Sequence, residues 1–276
     1  SPLAGWFGVV ISMTAKHDRE AALKLMQDAL GTEDKLLTSC VAWALTWGLN
    51  SYEATPAEIK IIENLANSND LGVRRMIVRA VKRFPKERKS AALDTLLSID
   101  ITDSKEEAEE VLSEFDEKYG TFRIEDLTHE QRQKVFSDLV MVPSINDYHI
   151  SLFLSKISLI HPSETLRILM DRVEYREAHP DKQGYDPLPH SWRESEALRF
   201  YQTNEYEQRL RTVRGWASQP TGGWVRSHYG ISLFKLVSAG FNKTTLKVLE
   251  EWIMSADRND IENAASLLSE AEQTFV

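Results

Sequence analysis

The densest chemistry in this sequence is cationic. Arg74, Arg75, Arg79, Lys82, Arg83, Lys86, Arg88 and Lys89 fall within one short run. Guanidinium groups so placed can grip carboxylates or phosphates through paired N–H donors. Upstream, Trp43 and Trp47 stand four apart, so on a helix their rings share one face. Such a pair lines either a ligand groove or a core seam, and large aromatics favour the seam. A third set lies in residues 179–192, HPDKQGYDPLPHSW. His179, Asp181, Asp186 and His190 offer metal-ligand atoms. Asp186 and His190 stand four apart, but the prolines of this stretch forbid a continuous helix, and HExxH is missing, so no metal is expected. Tyr185 and Trp192 suit a binding loop carried by a rigid scaffold. The expected partner-binding set is therefore Arg74, Arg75, Arg79, Arg83, Tyr185 and Trp192.

Catalytic patterns are missing. The sequence has no P-loop, no GxGxxG after a strand, no GxSxG and no CxxC. The seven His are scattered. His161 and His179 each precede Pro at a helix end, where a capping role is the ordinary explanation. Cys40 sits between Leu37 and Ala44 on an apolar face, as a structural thiol does. No catalytic residue and no cofactor is expected. The net charge of −9 and pI near 5.4 oppose non-specific binding to nucleic acid or anionic membranes. No apolar run approaches the roughly 20 residues that span a bilayer.

The elements that carry these residues read as amphipathic helices. In residues 56–85, Pro56 suits a first turn, and Ile59, Ile62, Leu65 and Ala66 form one face. Asn67, Ser68 and Asn69 make a turn, and Asp70 is placed to cap the next helix. Val73, Ile77, Ala80, Val81 and Phe84 continue the buried stripe until Pro85 stops it. This helix pair resembles a HEAT repeat at Asp70, Val73-Arg74, Ile77 and Ala80. The resemblance implies that Asp70 caps the second helix and that Arg74 bridges to the turn of a neighbouring repeat. It also implies that the second helices line a concave, partner-gripping side. Shifted back by 36 positions, Asp34, Leu37, Val41, Ala44 and Leu45 match the motif. Val225-Arg226 with Tyr229 and Leu233 echoes it, as do Asp257, Ile261, Ala265 and Leu268. A period of that size suits stacked two-helix units, none of which buries its apolar face alone.

Further helices are expected over 18–30, 34–50, 86–99, 104–119, 147–160, 163–176, 193–217, 224–237, 244–254 and 257–275, and another opens at Thr128. Thr128 with Gln131 is a capping-box pattern, Ser163 a natural cap, and the acidic run from Glu106 to Glu117 a solvated face. The expected fold is all-α: a right-handed α–α superhelix of about six antiparallel helix pairs. The alternative is an irregular helical bundle. Residues 1–17 read as a leading segment, either a trimmed start or a linker. Residues 18–276 read as one elongated repeat domain, interrupted by the loop 179–192. The expected function is a non-enzymatic scaffold for a protein partner, a sensor or regulatory part of a larger protein, located in the cytoplasm. The alternative is a nucleic-acid binder resembling HEAT-like DNA glycosylases, using helix 74–89. Ile77→Asp places an unpaired charge on the buried stripe of the clearest repeat. It should cost on the order of 3 kcal/mol or more, read as a lowered Tm.

Overall fold

The computed structural model describes residues 2–189, 198–219, 223–238, 240–255 and 258–274. Among these, fourteen α-helices carry the fold, and Ser144 and Asp186 make an isolated β-bridge. The chain divides into two compact units. Residues 1–101 with 119–122 form the first, and residues 102–118 with 123–276 form the second.

The first unit holds α1 (Pro2–His17), α2 (Arg19–Gly31), α3 (Lys35–Trp43), α4 (Pro56–Ala66), α5 (Leu71–Ala80) and α6 (Lys89–Ser98). Residues 2–17, expected as a leading segment, are thus helical, and α1 packs on both α2 and α3. Close approach makes that packing possible. A Cβ on Gly8 would meet the Trp43 ring at 2.7 Å, and one on Gly48 would fall 1.6 Å from Ser12 Oγ. Helix α3 lies beside α5, and α4 beside α6, so each touches the helix two positions on. The expected signals act locally. Asp70 accepts from Val73 N at 3.1 Å, Asp34 caps α3, and Pro56 stands in the first turn of α4. Ile59, Ile62, Val73, Ile77 and Ala80 are all buried. Arg74 donates to Ser68 O at 2.9 Å, in its own interhelical turn.

The second unit holds α7 (Lys105–Ser113), α8 (His129–Met141), α9 (Tyr148–Ile160), α10 (Pro162–Ala178), α11 (Tyr206–Ala217), α12 (Gly223–Val237), α13 (Lys243–Ile253) and α14 (Arg258–Thr274). Contacts again join helices two apart: α7 with α9, α8 with α10, α10 with α12, α11 with α13, and α12 with α14. Such neighbours run parallel where side chains mark the register. Tyr206 meets Thr245, Glu207 meets Lys247 and Arg211 meets Glu251, at separations of 39, 40 and 40 residues.

Three local expectations shift. The helix expected over 193–217 begins at Tyr206, with residues 193–197 outside the described ones. Glu205 takes a left-handed φ of 63°, and buried Arg209 reaches back to Thr203 and Asn204, so the chain turns there. Pro162 opens α10 after His161, one residue before the expected cap Ser163, because Pro suits a first turn. In α14 the buried face is Asp260, Asn263, Ala264 and Leu267, one residue off the expected Ile261–Ala265–Leu268 stripe. Asp260 causes the rotation: it accepts from Trp252 Nε1 at 2.8 Å and from the Ser218 hydroxyl, and pairs with Arg214.

Each unit also buries an arginine. Arg83 donates to Leu45 O and Tyr52 O and pairs with buried Glu58 at 2.7 Å. Arg172, fully buried, donates to the carbonyls of Leu139, Val142, Asp186 and Pro187. Burial holds its pKa down to about 10, so it stays cationic at neutral pH. Arg172→Leu strands those carbonyls in an apolar interior, and should cost at least about 3 kcal/mol. Chemical denaturation would show the loss.

Candidate partner-binding surface

The structure separates the expected partner-binding residues. Arg83 and Tyr185 are buried, Arg74 is half-buried, and Arg75 and Arg79 are exposed. Trp192 lies outside the described residues. Side chains enclosed as Arg83 and Tyr185 are serve the interior, which leaves α5 with a narrower surface than its sequence suggests.

The loop after α10 is tied down over residues 179–189. Asp186 N donates to Pro143 O at 2.7 Å. The Tyr185 hydroxyl donates to Val140 O, while the Arg172 guanidinium sits 4.9 Å over the Tyr185 ring. Burial pushes the Tyr185 pKa up to about 12. Lys182 lies 4.9 Å from the Tyr175 ring, and His179 stacks on Tyr175 at 4.1 Å. Replacing this loop by a linker therefore removes contacts from the core of the second unit. Of the four residues that offer metal-ligand atoms in the sequence, His190 is outside the described ones. Among the described residues, no three His, Cys, Asp or Glu converge as a metal site.

The exposed surface begins with α3. Leu36 and Trp47 are both exposed, at 41% and 47%. Trp47 falls in a π-helical turn, Ala44–Gly48, that ends α3. Such turns occur where an extra residue must be absorbed, often at functional sites. Here the turn is held from beside: the Thr46 hydroxyl lies 2.8 Å from both Ala42 O and Met76 O. The next side chain, Trp47, emerges toward α5, where the Arg79 guanidinium lies 4.9 Å from its ring. Trp43, only half-buried, meets α1 at Gly8. The Trp pair expected as a core seam is thus divided, with Trp43 packed and Trp47 outward. On α5, Leu71, Arg75 and Arg79 are exposed at spacings of four, which puts them on one stripe, and Lys82 is exposed in the 3-10 turn Val81–Arg83 that follows. Sequence reading found the cations but missed Leu71 and Leu36, whose exposure depends on which helix face is covered.

The second unit offers a groove of about 630 Å³ between α8 and α10, floored by Phe136, Val140 and Ile168. Its rim charges are engaged: Glu164 pairs with Arg132 at 2.8 Å, and Arg167 with Asp171 at 2.6 Å. Ser137, Ser163 and Tyr175 also line it. The Cys40 thiol, in the first unit, is buried, and that burial pushes its pKa up and away from thiolate chemistry. No family model, no curated protein and no solved structure matches the chain.

One carboxyl group of the second unit is strongly shifted. Glu109 on α7 is hydrogen-bonded to Asp147, which precedes α9. Burial first, then that bond and the charges of Asp147 and Glu110, push Glu109 up to about 7 against Lys105. The folded state thus keeps a proton that the unfolded chain loses near its ordinary value of 4.5. That contribution is complete below the unfolded pKa, and it is lost as pH rises through the folded one. Glu109→Gln keeps a donor toward Asp147 without the titration. Its Tm should fall less than the wild type's between about pH 5 and 7.5.

Proposed function

We propose that this chain is a helical-repeat scaffold that binds a protein partner through the α3–α5 face and performs no catalysis itself. The observation that carries this reading is the exposed Trp47 held under Arg79, with Arg75 one turn away on the same stripe. Such Trp–Arg combinations are enriched at protein interfaces and dominate their energetics. The contacts between helices two apart within each unit support stacked HEAT-like pairs. A sensor or regulatory role within a larger cytoplasmic protein follows from that reading.

Nucleic-acid binding by helix 74–89, as in HEAT-like DNA glycosylases, is the second reading, and the same Arg–Trp pairing favours it. A flipped base could stack on an exposed indole. The net charge of −9 weighs against it. Affinity capture from the native host separates the two. The wild-type chain and the Arg75→Glu/Arg79→Glu variant are compared with and without nuclease. A stoichiometric protein that survives nuclease and disappears with the variant is the expected result. Capture that nuclease abolishes would transfer the function to nucleic acid.

A further inference from the structure

We propose that α1 is a dimerisation helix, and that two copies of this chain pair antiparallel through its outward face. The inference does not depend on the α3–α5 face and gives the first unit a second surface.

Helix α1 is apolar on two sides. At about 3.6 residues per turn, Trp6, Val10 and Met13 fall within about 60° of one another, roughly opposite Gly8, Ile11 and Ser12. Gly8, Ile11 and Ser12 are buried. Trp6, Val10 and Met13 are exposed, at 69%, 47% and 59%. A helix that is apolar all round is ordinarily covered all round.

The inner contacts fix this exposure. Gly8 lies against the Trp43 ring and Ser12 against Gly48, both too close for an added Cβ. The Ser12 hydroxyl also donates to Gly8 O at 2.8 Å. Turning α1 to hide Trp6 would drive larger side chains into Trp43 and Gly48. The helix therefore cannot fold its stripe inward, and cover must come from elsewhere.

A second copy fits because the stripe is complementary to itself. About a two-fold axis at Val10, antiparallel pairing sets Val10 against its own copy and Trp6 against Met13 of the other copy. A thioether on an aromatic ring is a favourable contact. Charge selects the direction. Helix α1 contains no acidic residue, and its basic residues, Lys16 and His17, stand in the last turn. Parallel pairing would place each beside its copy, whereas antiparallel pairing sends them to opposite ends and opposes the helix dipoles.

The area sets the strength. An aromatic side chain as exposed as Trp6 offers on the order of 100 Å² or more, and the stripe a few hundred Å² per copy. A standard interface takes about 800 Å² from each partner. The pairing is thus weak and reversible, with a dissociation constant of about 1–100 µM. It joins two α3–α5 faces in one particle.

Sedimentation velocity of the full chain, from about 1 to 200 µM, provides the test. The chain should pass from monomer to dimer over that range. Val10→Lys sets like charges across the axis and should weaken the dimer about 10-fold or more. Trp6→Ala should do the same, as loss of an aromatic anchor does. Both positions are exposed, so circular dichroism and Tm should stay near those of the wild type. Met254→Lys, at an exposed apolar residue of the second unit, should leave dimerisation within about 2-fold. Val10→Cys should cross-link to itself on mild oxidation, while Trp6→Cys and Met13→Cys should cross-link well only when mixed. Cys40 is buried and adds little background.

A chain monomeric throughout the range overturns the proposal, as does a dimer indifferent to Val10→Lys and Trp6→Ala. Trp6→Cys that links efficiently to itself overturns the antiparallel arrangement. A monomeric chain that sediments with phosphatidylcholine vesicles, and is released by Val10→Lys, would assign the stripe to a lipid surface instead.

Discussion

A guanidinium can leave water only where its N–H groups find acceptors, and both units are arranged around that requirement. In the first, Arg83 ties Leu45 O at the end of α3 to Tyr52 O in the connection before α4, and pairs with Glu58 within α4. Glu58 also takes part in the capping box with Thr55 and pairs with Arg19 on α2. In the second, Arg172 gathers carbonyls from the end of α8 and from the loop after α10. The two arrangements differ chemically. Arg83 has a buried carboxylate, whereas the acceptors recorded for Arg172 are backbone carbonyls. Each secures the connection between helices, which repeated packing alone leaves loosely specified. Removing either arginine would therefore disturb the register of several segments at once.

The inward turn of Arg83 also shapes the surface. Its neighbours in sequence remain outside, so one basic run supplies both an internal anchor and an external stripe. At the junction of α3 and α5, the π-helical turn allows Thr46 to meet Met76 O while Trp47 reaches Arg79. Core packing, the turn and the exposed Trp–Arg pair are thus one connected arrangement. The loop after α10 stands at the other extreme. Its length is that of a binding insertion, yet Tyr185, Asp186 and Pro187 face the interior and hold Arg172.

Caps and stripes were legible residue by residue. Asp34, Asp70, Pro56 and the Thr128–Gln131 box act as local chemistry requires, because a cap involves atoms within three or four residues. Apolar spacing placed Ile59, Ile62, Val73 and Ile77 inside for a similar reason. The α14 stripe failed by one position because Asp260, a carboxylate, is drawn in by Trp252, Ser218 and Arg214 from elsewhere in the unit. No periodicity of apolar residues carries that information. Ser163 missed for a smaller reason: Pro162 immediately before it is already compatible with the first turn.

By itself the sequence determined that this chain is helical, where most helices lie and which face most of them bury. Those properties follow from backbone preferences and from apolar spacing along one segment, and need no knowledge of neighbours. Tertiary structure alone decided which cations point outward. Arg75, Arg79 and Arg83 share a spacing of four, and nothing local tells the third from the first two. Arg83 is internal because Glu58, Leu45 O and Tyr52 O, 25 to 38 residues away, together offer what a buried guanidinium needs. Tyr185 was decided in the same way, since its ring covers Arg172 and its hydroxyl meets Val140 O, 45 residues distant. Burial of a polar side chain is a property of its acceptors, and those are assembled only when distant segments meet.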